Sequence, residues 1–231
     1  MFRIIFVLDI RNGDAVHAVR GERATYEPIK NSTICASSAP MDIISVLMPR
    51  EVYIADLDRL QHLGDNFELI EKISSETKTM VDIGAEDMSD VEKCIGIADT
   101  VILGTETASF DLIKEAAGRF HDRVSVSIDI KNGRVLTKDR KMDLEPEKLV
   151  KILDKYDLKD IIMLDLNKVG TGAGVDADFL RNIVGLSSHN ILVGGGVRDM
   201  DDIHALEKIG ASGALVATAV HSGKIPVELI R

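Results

Sequence analysis

Short runs rich in β-branched residues recur along the chain, near residues 2–9, 51–57, 78–83, 99–104, 123–130, 160–166, 190–194 and 213–217, and most are apolar from end to end. Continuous apolar runs of this length mark strands buried on both faces, whereas a sheet with one wet face alternates. Stretches of helical periodicity lie between them. Pro40 can open a helix near 40–48, Asn66 can cap one near 66–75, and Asp176 can start one near 176–185. Strands alternating with helices predict βα units around a parallel sheet, and eight such units close into an α/β fold, the (β/α)₈ barrel.

The same segments recur in the same order. FVLDIRNGDAV returns as VSIDIKNGRV, which puts Asp9 and Asp129 in equivalent places. VYIADLDR, with Asp56, matches IIMLDLNK, with Asp165. MVDIGAEDMSDVEKCIGIADTVILGTETA matches LVGGGVRDMDDIHALEKIGASGALVATAV, with Met88 opposite Met200. A unit of about 110–120 residues is too long for a solenoid repeat and suits half of a barrel. No Pro/Ser-rich linker divides the halves, so the expectation is one barrel over 1–231 with half-barrels at approximately 1–120 and 121–231.

Composition narrows the function classes. With 45% hydrophobic and 29% charged residues over 231 positions, the chain reads as an ordinary globular protein. A net charge of −10 and the absence of Lys/Arg runs argue against nucleic acid or anionic lipid as partner. A small phosphorylated metabolite is compatible, because local backbone amides hold such anions. Cys35 and Cys94 show no C-x-x-C spacing, which fits a reducing cytoplasm. No apolar run approaches the ~20 residues of a membrane span. The six histidines lack metal-ligand spacing and read as surface or packing residues; neither a P-loop nor a dinucleotide fingerprint occurs, so no metal or cofactor is expected. Nothing indicates an obligate protein partner.

Active sites of such barrels lie at the C-terminal ends of the strands. Asp9 ends strand one and Asp129 ends strand five, on opposite staves, so the two carboxylates can face each other across a substrate, one as general base and one as general acid. A lone Asp after a strand more often caps a helix; the duplicated, opposed placement favours chemistry. Gly194-Gly195-Gly196-Val197-Arg198 follows strand seven and leads into a helix, and Ala217-Thr218 follows strand eight, where barrels frequently seat phosphate. A tight turn that merely needs glycine is the plain alternative.

Taken together, Leu8-Asp9-Ile10 with Gly13, Val16 and Gly21, Ala55-Asp56-Leu57-Asp58 with Asn66, Gly104-Thr105, Asp129, Gly170-Thr171 and the Gly194–Arg198 loop resemble the histidine-biosynthesis barrels, over nearly the whole chain. The resemblance is nearest to the Amadori isomerase of that family and implies aldose–ketose isomerisation of an N-ribosylamine 5′-phosphate without cofactor. It implies Asp9 as the base that removes the C2 proton and Asp129 as the acid, or its assistant, that opens the ribose ring. Asp56, Asp165, Gly104, Thr105, Thr171 and His17 then join Gly194, Gly195, Gly196, Arg198, Ala217 and Thr218 as substrate or phosphate contacts.

Three departures qualify this. Where the family repeats Gly-Gly-Gly-Ile-Arg after strand three, this chain reads Asp82-Ile83-Gly84-Ala85-Glu86, which disfavours a second phosphate. Val169 stands where a family Asp takes part in proton transfer, and His17 replaces an Arg. The expectation is therefore an isomerase with a changed, singly phosphorylated substrate. The alternatives are the family's cyclase, which requires a glutaminase partner, and a non-catalytic barrel that binds a phosphorylated ligand.

Overall fold

The structure, a computed structural model, describes residues 2–231. Eight parallel strands form the barrel: β1 (Arg3–Arg11), β2 (Glu51–Asp56), β3 (Lys78–Asp82), β4 (Thr100–Gly104), β5 (Val124–Lys131), β6 (Asp160–Asp165), β7 (Asn190–Gly194) and β8 (Gly213–Val216). Each pairs with the next, and β8 returns to β1 through Arg3↔Gly213 to Phe6↔Val216, closing the sheet. The chain is thus a (β/α)₈ TIM barrel. Among the described residues, seven helices of eight or more residues cover it, α1 (Pro40–Leu47), α2 (Phe67–Glu76), α3 (Met88–Ile97), α4 (Phe110–Phe120), α5 (Pro146–Leu153), α6 (Ala177–Val184) and α7 (Met200–Lys208), and a one-turn helix, Leu57–Leu60, follows β2. A one-turn helix, Thr218–His221, and a 3₁₀ turn, Val227–Leu229, follow β8. No helix among the described residues is long and apolar enough to cross a membrane.

Strand parity sorts the side chains. Residues i and i+2 share a face of a strand. Ile5, Tyr53, Ala55, Met80, Ile102, Ile162, Leu192 and Leu215 form the barrel interior, with Val7 and Leu164 packed against them. The alternate residues, among them Phe6, Leu8, Ile10, Val52, Ile54, Ile161, Met163 and Val193, pack under the helices. Each strand is therefore apolar on both faces, which explains the continuous hydrophobic runs. Continuing the inward register toward the C-terminal ends leads from Ile5 and Val7 to Asp9, from Met80 to Asp82, from Ile102 to Gly104 and from Ser127 to Asp129.

Two short hairpins extend the mouth. Asn12-Gly13 and Asn132-Gly133 adopt positive φ at both positions (51° and 80°, 54° and 74°), the backbone that reverses a strand in two residues. Asp14–His17 thereby folds back on β1, and Arg134–Val135 on β5.

Candidate active site

A cavity of about 420 Å³ opens at the C-terminal ends of the strands, with Val7, Tyr53, Ala55, Leu164 and Leu215 among the residues that line it. Asp9, Asp82 and Asp129 enter it from β1, β3 and β5. Arg23 and Glu106 close over the rim as a two-pronged ion pair, with N–O distances of 2.8 and 2.5 Å. Among the described residues, no three of His, Cys, Asp or Glu come together in an arrangement that could hold a metal ion.

The carboxylates occupy different surroundings. Asp9 is half-buried, and no hydrogen bond among the described residues anchors its side chain; burial raises its pKa to about 7 against the pull of Arg23, with Asp82 adding to the rise. Asp129 is buried, accepts from Ser127 Oγ at 2.7 Å and from the Glu106 amide at 3.3 Å, and its own amide donates to Thr105 Oγ1. Burial, then Asp82, raises its pKa to about 7 against the Ser127 bond, with Glu106 adding to the rise. Asp82, also buried, accepts from the Gly84 amide at 2.8 Å and sits beside the Tyr53 hydroxyl; burial lifts it to about 6, opposed by the Gly84 bond and Arg23. A cation therefore favours the charged form of Asp9, while two neighbouring acids favour the neutral form of Asp129.

The opposite wall comprises Gly195, Gly196, Ala217, Thr218 and His17. Gly195 and Gly196 hold φ of 89° and 87°, and a β-carbon on Gly195 would lie 2.3 Å from the Asp165 carbonyl, so only glycine fits there. His17 Nε2 lies 3.3 Å from Thr218 Oγ1. His221 borders the same wall; its Nδ1 meets Ser32 Oγ at 2.9 Å, while its buried Nε2 has no partner among the described residues. Burial, followed by the neighbouring His17, lowers the His221 pKa to about 4, leaving a neutral ring.

Other residues singled out from sequence lie outside this cavity, for reasons of parity or pairing. Asp56 follows the outward register of Val52 and Ile54; fully buried, it accepts from the Arg59 amide and from the amide and side chain of Asn66, which makes it a cap and loop anchor. Asp165 follows Ile161 and Met163 outward and borders a separate groove with Asn167 and Lys168. Gly194 borders that same groove, and a β-carbon there would come to 2.8 Å from Leu164 and 3.2 Å from Leu215. Thr105 is buried behind Asp129, and Thr171 Oγ1 donates to the Lys168 carbonyl. Arg198 is engaged by Asp199 and Asp202. Gly104 acts as a spacer: a β-carbon there would approach Asp129 Oδ2 to 3.1 Å and Asp82 Oδ2 to 3.3 Å. Of the two acids that replace family residues here, Asp82 ends β3 and faces the cavity, whereas Glu86 is exposed beside His62.

The model of a family described as histidine biosynthesis protein matches residues 3–226. The chain belongs to that family. Relatives in it include a protein of uncharacterised function from Methanocaldococcus jannaschii, 34% identical over 99% of this chain and 97% of its own length. Two others carry the name 1-(5-phosphoribosyl)-5-((5-phosphoribosylamino)methylideneamino)imidazole-4-carboxamide isomerase. The one from Methanosphaera stadtmanae is 28% identical over 97% of this chain and 96% of its own, and one from Dehalococcoides mccartyi is 30% identical over 97% and 96%.

Arg23 and Glu106 stand 83 positions apart in two loops, so no local motif announces their pairing. His221 was read with the other histidines as surface or packing, and no spacing signal distinguishes it. The inward position of Asp82 could have been read, since it lies two residues beyond Met80 on an apolar strand.

Proposed function

We propose that this member of the histidine biosynthesis family is an aldose–ketose (Amadori) isomerase that acts on an N-ribosylamine carrying a single 5′-phosphate. The observation that carries the reading is a pair of carboxyls, Asp9 and Asp129, that enter one cavity and are both raised to about 7 by burial, with the Arg23 cation beside Asp9 and the acids Asp82 and Glu106 beside Asp129. Pairs of acids with opposed environments are how one site runs acid and base chemistry near neutral pH.

Asp129 gives its proton to the ring oxygen, the C1–O bond breaks, and the nitrogen lone pair forms the C=N bond of an open-chain iminium. Asp9 then removes the C2 proton, and those electrons form the C1–C2 double bond as the iminium charge is neutralised. Protonation at C1 and loss of the O2 proton complete the ketoamine. No electrons enter or leave. Each group contributes roughly 10²–10⁴ in rate.

Gly195, Gly196, Thr218 and His17 form the wall suited to the phosphate, where positive-φ glycines let backbone approach the anion closely. The corresponding turn after β3 supports the single-phosphate reading, because the Asp82 carboxylate already accepts its Gly84 amide. At an effective dielectric near 20, a phosphate charge ~4 Å from an acid costs about 4 kcal/mol.

The test offers the purified protein the single-phosphate analogue of the relatives' imidazole carboxamide substrate, lacking the phosphate on the far ribose. Turnover should appear and fall at least about 100-fold in Asp9→Asn and in Asp129→Asn. Unchanged turnover in both variants, or none in the wild type, would overturn the reading. Complementation of a histidine-auxotrophic isomerase mutant should fail; success would reject the changed substrate.

A further inference from the structure

The carboxylates of Asp82 and Asp129 converge on one point. The β-carbon that Gly104 lacks would sit 3.1 Å from Asp129 Oδ2 and 3.3 Å from Asp82 Oδ2, so the missing side chain is what lets the two acids approach from β3 and β5. Each is held from behind by its other oxygen. Asp82 Oδ1 accepts from the Gly84 amide at 2.8 Å, and Asp129 Oδ1 from Ser127 Oγ at 2.7 Å. The Oδ2 atoms are the weakly held ones, with the Tyr53 hydroxyl 3.5 Å from Asp82 and the Glu106 amide 3.3 Å from Asp129. Two buried carboxylates in this arrangement cannot both carry charge without repulsion that water does not screen.

We infer that Asp82 is a positioning residue that shares one proton with Asp129 across Gly104 and so keeps Asp129 in its acid form. This rests on the reading of Asp129 as the ring-opening acid, and it assigns a role to the residue that stands opposite Gly194 in the chain's internal repeat. The remaining groups around the pair set its direction. Arg23, from the loop after β1, lowers Asp82 and leaves it as the member that ionises first. Glu106, from the loop after β4, raises both acids. Asp9 on β1 adds a third acid across the cavity, itself raised by Asp82. Tyr53 on β2 stays neutral, since burial and all three aspartates raise it, and buried Cys94 on α3 stays a thiol for the same reasons of burial and Asp82. At neutral pH the stable arrangement is ionised Asp82 beside protonated Asp129. After Asp129 gives up its proton, the same repulsion favours its reprotonation, which resets the acid for the next turnover.

The test is a ¹³C-carboxyl titration of the free protein, with the Asp129 resonance assigned by its loss in Asp129→Asn. Wild-type Asp129 should titrate near pH 7, as its surroundings require. In Asp82→Asn, which keeps an oxygen for the Gly84 amide, the Asp129 midpoint should fall by about one pH unit or more. Asp82→Ser serves as a second neutral replacement with the same expectation, and Asp82→Glu should restore the high midpoint. In a turnover assay with the single-phosphate analogue, the high-pH limb of the profile should move down in Asp82→Asn. An unmoved Asp129 midpoint in either folded neutral variant would overturn the pairing. Because the titration needs no substrate, that result would leave the isomerase reading standing, whereas absent turnover with the coupling intact would reject the isomerase reading instead.

Discussion

The replacement Asp9→Asn should make the protein more stable and the site inactive, and the gain should depend on pH in a defined direction. The Asp9 side chain has no hydrogen-bond partner to lose among the described residues, so the change removes a charge and little else. Its carboxyl is moved from an ordinary 3.8 to about 7, mainly by burial. A folded-state pKa above the unfolded one means that stability is greatest while the group is protonated, below about pH 4, and is lost as pH rises through 7. At about 1.4 kcal/mol per pH unit, full ionisation costs the folded protein about 4 kcal/mol, and water reaching the half-buried group through the mouth brings this to about 2–4 kcal/mol. The asparagine escapes that loss. Thermal melts of wild type and variant should therefore coincide near pH 4 and separate by about 5–10 °C in favour of the variant at pH 8, given the melting behaviour of chains of this size. Parallel melting curves across that range, or a variant less stable at pH 8, would refute the claim that the Asp9 carboxylate is strained by burial.

Three further outcomes follow from the same geometry. Arg23→Gln removes the cation that favours ionised Asp9, so the low-pH limb of the rate profile should rise by about one unit, with about fivefold loss at pH 7 that recovers by pH 9; a pH-independent loss would contradict this. Gly104→Ala forces apart the two carboxylates that now flank an empty position, and turnover should fall about tenfold with little change in melting temperature. Asp56→Ala strips a buried cap that satisfies three donors; it should cost about 2–4 kcal/mol in urea unfolding while leaving the activity per folded molecule intact, as expected of a residue outside the cavity.

The barrel was legible because its signals are local and repeated. Continuous apolar runs mark all eight strands within a residue or two of their observed ends, and Asp176 caps α6 as its residue type suggests, accepting from the Phe179 amide. Asn66 stands at the start of α2 as expected, but its side chain turns to Asp56 and Asp58 and makes no cap there. The site was legible only in part. Asp9 and Asp129 stand out because they recur at the same point of two equivalent segments. Asp56 and Asp165 recur just as faithfully, yet one step of strand register turns them away from the cavity, and counting parity from Tyr53 or Ile162 would have shown it. The two Asn-Gly pairs were not read as hairpins, although that dipeptide is a local signal for one. Arg23 with Glu106, and His221 with Ser32, meet only through tertiary folding, so neither pair has a signature in the linear chain.

The most direct test of the account is a comparison of kcat/KM for the two-phosphate imidazole carboxamide ribotide and for its single-phosphate analogue on the same preparation. Asp82 beside the would-be second phosphate predicts a preference of about 10²–10³ for the single-phosphate compound, with both activities lost in Asp9→Asn. Equal use of the two compounds, or preference for the doubly phosphorylated one, would contradict it.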